Sequence, residues 1–531
     1  MSDMPRKIGV LAWLNVVLVG ALVLGLVYAL RLYPRLNAGQ RVVDDLKPAF
    51  QPARATGDRT GINFVGNVVN TADPLMTDKG TGAAEVPKLI ALVSSKGGLS
   101  QAAVVSTLQT KFPHTLALLQ AIPLSSVTSE LPGFLDFVAA QLKVTTPQLV
   151  TTLQTSFPHL YQAVANLPAV TGGWNDVPNL NGLTRFDGTP VKTAPQLQDY
   201  FSHDVVPIVE KNTTNFHRVA SYFPPVKDIP ILLTAIGGIA VLFGLLMMLR
   251  SASGNVGHKE ATVTWTIVLL LGVLVLGIVF GAQIYPRLDG GSHLLRDATP
   301  GFSAQRVAGD RAGVTFVSHV VDMADPIMND QGKAGDDIKS LLTTLSSKTG
   351  LSTAQLLAAV TAKFPHTAAL LQAVPLSAVN AEVPGVLDLL HVVLNATPAD
   401  VLTTLKANVP GITQAIVNLD VVVKGWDNYP GGRSLTRFNG SAVTNAPQLR
   451  DYFGQDVVAA IEKTAPDFRK LNDTKPDLTL FPGLLTILGG LVVIYGIIML
   501  IAVNMPDPEA EMRARKARGP GGRRAVGAES G

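Results

Sequence analysis

Four stretches of the chain are apolar on every face a helix could present. Residues 8–30, 229–249, 263–282 and 484–503 contain no Asp, Glu, Lys or Arg. Each is long enough to cross a hydrocarbon core, which takes about 20 residues at about 1.5 Å per residue. Arg6 and Lys7 precede the first run, and Val27-Tyr28-Ala29 resembles a signal-peptidase site. That run is longer than a signal h-region, however, and the internal run from Val263 repeats its pattern. The sequence therefore predicts four uncleaved transmembrane helices.

Between the spans the pattern becomes that of amphipathic helices. Ala102, Val105, Leu108 and Phe112 recur at three- and four-residue steps, and Leu116, Leu118, Leu119 and Ile122 continue the series. Pro113 suits a first helical turn but not a helix interior, so Phe112-Pro113-His114 is expected to close one helix and open the next. Ser125, Thr146 and Thr397 stand where N-caps are expected. Few alternating patterns occur, and the expected fold class is all-α. Two segments rich in Gly, Asn, Asp and Pro, residues 174–195 and 425–447, are expected to be ordered loops pinned by Trp174 and Phe186; an exposed binding loop is the alternative.

The pattern is also duplicated. Trp13 matches Trp265, Tyr33-Pro34-Arg35-Leu36 matches Tyr285-Pro286-Arg287-Leu288, and Gly57-Asp58-Arg59 matches Gly309-Asp310-Arg311. Further matches join Trp174 to Trp426, Leu183-Thr184-Arg185-Phe186 to Leu435-Thr436-Arg437-Phe438, and Asp199-Tyr200-Phe201 to Asp451-Tyr452-Phe453. The offset is 252 residues throughout, which indicates two tandem copies. Each copy carries two spans, so both enter the membrane in the same direction, as parallel repeats do. A weaker repeat at an offset of 45 relates residues 107–114 to 152–159, and Phe364-Pro365-His366 to the altered Val409-Pro410-Gly411. Each outer segment is thus expected to hold two related helical hairpins.

Charge sets the expected topology. Arg6 and Lys7, then Arg250, His258 and Lys259, then the tail from Arg513 to Arg524 flank the spans on one side. By the positive-inside tendency the segments 1–7, 250–262 and 504–531 are cytoplasmic. The segments 31–228 and 283–483 then lie outside a plasma (inner) membrane as two homologous helical domains, and both termini are cytoplasmic. The tail, mixed with Glu509 and Glu511, is expected to be disordered and drawn to anionic lipid headgroups. The usage of Ala, Val, Leu, Thr and Gly with few Lys suits a bacterium of high genomic GC content. A net charge of +4 over 531 residues gives no support to nucleic-acid binding.

Candidate chemistry is sparse. The chain has no cysteine, which removes disulfides and thiolate chemistry together. His114, His159 and His366 follow prolines at matched positions, but the fourth position is Gly411 and no zinc-site spacing accompanies them, so a turn or capping role is expected. Asp58, Arg59, Arg185, Asp310, Arg311 and Arg437 are candidate anion or ligand contacts, with intradomain ion pairs as the ordinary alternative. No nucleotide loop, nucleophile elbow or metalloprotease helix is present. No catalytic, cofactor or metal site is expected. Within the spans Gly25, Ala29, Gly237, Gly238, Gly277, Gly281, Gly489 and Gly490 are expected to let helices pack closely. The expected function is that of a non-enzymatic envelope protein, acting as scaffold or interaction partner through its outer domains. Binding or transfer of a lipid or hydrophobic solute is the alternative, and ligand sensing for a signalling or transport complex a second. Membrane lipids and envelope proteins are the expected partners, and self-association into a homo-oligomer is compatible with the small-residue spans.

Overall fold

The runs that are apolar all round become the helices Met4–Ala29 (α1), Ile229–Ala252 (α2), His258–Gly281 (α3) and Phe481–Asn504 (α4). These belong to a computed structural model that describes residues 4–253, 258–430, 435–473 and 478–505. The chain is all-helical; among the described residues only isolated bridges occur, Thr184 with Pro190 and Thr436 with Ala442. Five described helices are long and apolar enough to cross a membrane, these four and Leu376–Leu394. A further candidate is the pair Gly82–Gly97 and Gln101–Lys111, bent by 105° at its break. The tail with Arg513 and Arg524, and the side chains of Arg6, Lys7 and His258, lie outside the described residues.

The chain divides into two compact units, each drawn from separate stretches of the sequence. One comprises Met1–Val43, Asn215–Leu294 and Lys470–Gly531, and the other Asp44–Thr214 and Leu295–Arg469. The central parts of the two segments expected to form separate domains, 31–228 and 283–483, therefore share one unit, while their ends belong to the other.

In the first unit α1 packs along α2 and α3 along α4. The close approaches fall at Gly20 and Gly244 and at their 252-residue counterparts Gly272 and Gly496. A methyl added at Gly20 would lie 2.8 Å from the Gly237 carbonyl, and one at Gly496 3.1 Å from the Leu269 backbone. Gly237 and Gly489 also sit in these contacts, against Leu24 and Leu276. Gly25, Gly238, Gly277, Gly281 and Gly490 instead face open space, and Ala29 is exposed. Each residue turns a helix by about 100°, so neighbouring glycines serve different faces. Trp13 stacks on Trp265 at 4.3 Å, with Phe243 edge-on to Trp13 and Tyr495 edge-on to Trp265. Tyr33 donates to Thr234 Oγ1 at 2.9 Å, and Tyr285 and Thr486, the corresponding residues, meet at 3.0 Å.

The second unit is built by exchange between the two halves of the chain. Helix Pro52–Met76 packs along Pro410–Asp427, and Ala304–Met328 along Pro158–Gly173. Pro113–Ala121 and Pro365–Ala373 pack on each other. Trp174 and Trp426 are 1% exposed, and each meets a phenylalanine from the other half, Phe316 and Phe64. Their indole N–H groups donate to Asp73 and Asp325 at 2.9 Å, which gives the Asp-Pro pairs inside the long helices a definite task. Burying a large apolar side chain contributes about 1.5–3 kcal/mol. Both halves lose that burial if they separate.

Local signals set the helix ends. Pro113, Pro158, Pro365 and Pro410 each open a helix at its first position. Thr397 caps its helix, accepting from the Asp400 N–H. The cap near Thr146 is instead Thr145, whose capping box with Gln148 leaves Thr146 free to donate to Asp136. Ser125 lies inside the turn after Pro123 and donates to Asp78 rather than capping. The loops after Trp174 and Trp426 each form a short hairpin whose tip, Gly188 or Gly440, adopts φ near +90°, a conformation open to glycine.

Candidate functional site

The Gly-Asp-Arg motif lies where the halves meet, and each of its residues has a different partner. Gly57 receives Leu435 of the other half, whose side chain would lie 2.9 Å from an added Cβ; Gly309 receives Leu183 in the same way. Asp58 is buried and accepts a 2.6 Å hydrogen bond from the Tyr452 hydroxyl. Burial pushes its carboxyl up to about 7, against the lowering effects of Tyr452 and Arg54. Asp310 faces Tyr200 in the matched arrangement and is likewise pushed up to about 7, with burial the main cause. There Asp310 Oδ1 and the Tyr200 hydroxyl have no hydrogen-bond partner among the described residues. Burial also raises both tyrosines, and the facing aspartate adds to the effect.

Arg59 turns to its own half, forming a two-pronged pair with Glu210 at 2.9 and 2.6 Å and donating to the Ser202 carbonyl. Arg311 pairs with Glu462 in the same manner. Arg185 is held by Asp204 and Asp199, and Arg437 by Asp456 and Asp451. Asp204 and Asp456 are presented by π-helical turns, Phe201–Val205 and Tyr452–Val458, directly after Tyr200 and Asp451. All four arginines named as anion contacts thus face carboxylates, and an incoming anion would have to displace them.

Two arginines that the sequence reading passed over hold the halves together. Arg54 donates to the carbonyls of Thr436 and Arg437 and to Pro48, with its guanidinium 5.0 Å over the Phe438 ring. Arg306, 252 positions later, does the same with Thr184, Arg185 and Pro300, over Phe186 at 4.7 Å. Their recurrence at the repeat offset was the available signal.

The Phe-Pro-His turns resolve in a similar way. Glu382 accepts from the N–H groups of His114 and Thr115 at 3.2 and 2.7 Å, and Glu130 from those of His366 and Thr367 at 3.2 and 2.8 Å. Asp337 accepts from His159 and Leu160, and Glu85 from Gly411 and Ile412. A carboxylate from one half therefore sits on a helix N-terminus of the other half four times over, satisfying free N–H groups and the positive end of the helix dipole. The histidines contribute their backbone N–H groups, and His114 also its ring, whose Nδ1 lies 2.8 Å from the Gln372 carbonyl. Gly411 departs from the motif because an added Cβ would fall 1.9 Å from Thr81 Oγ1. Among the described residues no three His, Asp or Glu side chains converge as metal ligands would.

Two apolar cavities lie inside this unit. One of about 80 Å³ is lined by matched residues of both halves, among them Val68, Val320, Trp174 and Trp426; the other, of about 70 Å³, lies among Leu131, Phe134, Ile338 and Leu341. Ligand pockets measure about 300–1,000 Å³. The buried carboxyls Asp58 and Asp310 face phenols and guanidinia, Tyr452 with Arg54 and Tyr200 with Arg306. The chain matches no family model, no curated protein and no solved structure.

Proposed function

We propose that the chain is a non-enzymatic integral membrane protein of the cell envelope, formed by tandem duplication, with four spans α1 to α4. In this reading the second unit lies outside the plasma membrane and acts as a scaffold for protein partners. The observation that carries the reading is the internal use of polar groups: arginines and carboxylates at 252-residue intervals bind the two halves to each other. They build a braced block in which the polar groups of each half serve the other.

The span count rests on chemistry. Leu376–Leu394 includes Glu382 and Asp388, and Glu382 is engaged on the helix at His114, so it is assigned to the outer unit despite its length. The basic residues near α2 and α3, Arg250 and Lys259, with those at both termini, support cytoplasmic ends.

A partner-binding role calls for exposed apolar side chains on the outer unit. Val417 and Val421, one helical turn apart, are 49% and 43% exposed. A photo-crosslinking residue at each position, activated in intact membranes, is expected to trap one discrete protein partner. Exclusive recovery of the uncrosslinked chain from these and other outer positions would dismiss the scaffold reading. The cavities of about 80 and 70 Å³ described in the outer unit are smaller than a pocket for a hydrophobic solute. The alternative of lipid binding has its support elsewhere, between the spans.

A further inference from the structure

Between the α1/α2 and α3/α4 pairs lies an apolar cavity of about 410 Å³, lined by all four helices. Its inner wall includes Val16, Val268 and Val275, all nearly fully buried. Its mouth lies between α1 and α4, where Leu18, Ile494 and Ile498 are 52%, 57% and 55% exposed. One end is closed by the stacked Trp13 and Trp265, the other by a cluster that includes Leu32, Ile229, Ile284 and Phe481. The volume falls within the ~300–1,000 Å³ of ligand pockets.

The mouth carries a polar pair. Asn15 Nδ2 donates to the Tyr495 hydroxyl at 3.2 Å, and that hydroxyl contacts the Ala12 carbonyl at 3.3 Å. The residues 252 positions away are Ile267 and Phe243, so the polar pair marks only one of two otherwise matched faces. An amide side chain in hydrocarbon is costly without partners. The single Asn15 bond uses one of its two N–H groups, leaving the other and the carbonyl oxygen for a ligand.

We propose that this cleft binds an acyl chain of a membrane lipid. The chain enters between α1 and α4, and the ester, amide or hydroxyl group at its head hydrogen-bonds with Asn15 and Tyr495. Beyond the mouth the lining is apolar and offers water none of the two to four polar partners it needs. In a bilayer, acyl chains are the abundant apolar species at its mouth. The proposal rests on the membrane-spanning reading of α1 to α4.

The test uses the full chain in phosphatidylglycerol and phosphatidylethanolamine nanodiscs that contain phosphatidylethanolamine with a diazirine in its acyl tail. After irradiation, labelled positions are mapped by mass spectrometry. Labelling across residues 15–23 and 491–498 is expected to exceed that at Leu242 and Leu246 of α2, which are 70% and 55% exposed, by about tenfold, equivalent to about 1.4 kcal/mol. Leu271→Trp, which fills the cleft, is expected to erase that excess while leaving Leu242 and Leu246 labelled. A second variant, Asn15→Ile with Tyr495→Phe, gives the mouth the residues of its own counterpart and is expected to lower the excess without filling the cavity. Cleft labelling no denser than at Leu242 and Leu246, or an excess that survives in both variants, overturns the proposal. Absence of label from all four helices would instead refute the membrane-spanning reading.

Discussion

The Tyr452 hydroxyl donates a 2.6 Å hydrogen bond to Asp58, a residue 394 positions earlier in the chain. The acceptor is a carboxyl pushed up to about 7 by burial, and Asp310 shares that shift. A raised folded-state value stabilises the fold fully below the ordinary aspartate value of 3.8, and that stability is lost as pH rises through about 7. Thermal stability of the second unit is therefore expected to fall between about pH 4 and 7, by up to about 4 kcal/mol for each aspartate, and to level off above. Asp58→Asn with Asp310→Asn keeps an acceptor for each tyrosine. The difference between this variant and the parent is expected to grow with pH in the variant's favour, as thermal melts from pH 4 to 8 would record; a constant difference contradicts the assignment.

The exchange of helices between halves predicts mutual dependence. Residues 1–253 produced alone are expected to insert in membranes but to remain protease-sensitive over 52–214. Co-production of residues 258–531 as a separate chain is expected to restore resistance and to co-purify. Full resistance of the first half by itself would show that it folds without its partner.

The capping carboxylate Glu85 and the Arg59–Glu210 pair differ in exposure, which orders the expected effects of removing them. Glu85 is 4% exposed and sits on Gly411 and Ile412, so Glu85→Ala leaves two N–H groups without an acceptor and is expected to cost about 1–3 kcal/mol. Arg59→Ala removes a much more exposed pair with Glu210, and the expected loss is only about 0–1 kcal/mol. Urea titrations comparing the two would reveal the ordering, and equal losses would contradict it.

Gly411→Ala places a methyl 1.9 Å from Thr81 Oγ1 and is expected to destabilise by about 1–3 kcal/mol. Thr81→Gly in the same chain removes the obstructing atom and is expected to recover much of that loss. A double variant no more stable than Gly411→Ala alone would place the strain elsewhere.

The long apolar helices were legible because runs apolar on every face stand out from the amphipathic stretches between them, and Pro113 and Thr397 announced their helix ends directly. The glycine contacts were only partly legible. Gly277 and Gly281 match a familiar spacing, yet Gly272 and Gly496 make the approach, since the face a glycine serves depends on the partner helix. The pairing of halves was not legible at all. Tyr200 and Tyr452 stand in equivalent sequence contexts, so Asp58 could have met either; the repeat that reveals the motif conceals which copy completes it. The capping carboxylates were hidden for the same reason. Glu130 and Glu382 recur on schedule, but nothing local connects either of them to a Phe-Pro-His turn in the other half.

The interleaved unit also sets an order of events during synthesis. Helix Pro52–Met76 is made long before its partner Pro410–Asp427. At ~5–20 residues per second the roughly 330 intervening residues take about 15–65 s to translate. Throughout that interval Pro52–Met76 waits with the faces meant for Trp426 and Leu435 uncovered. Until its own second half is made, the same faces are open to the matching helix of a neighbouring copy.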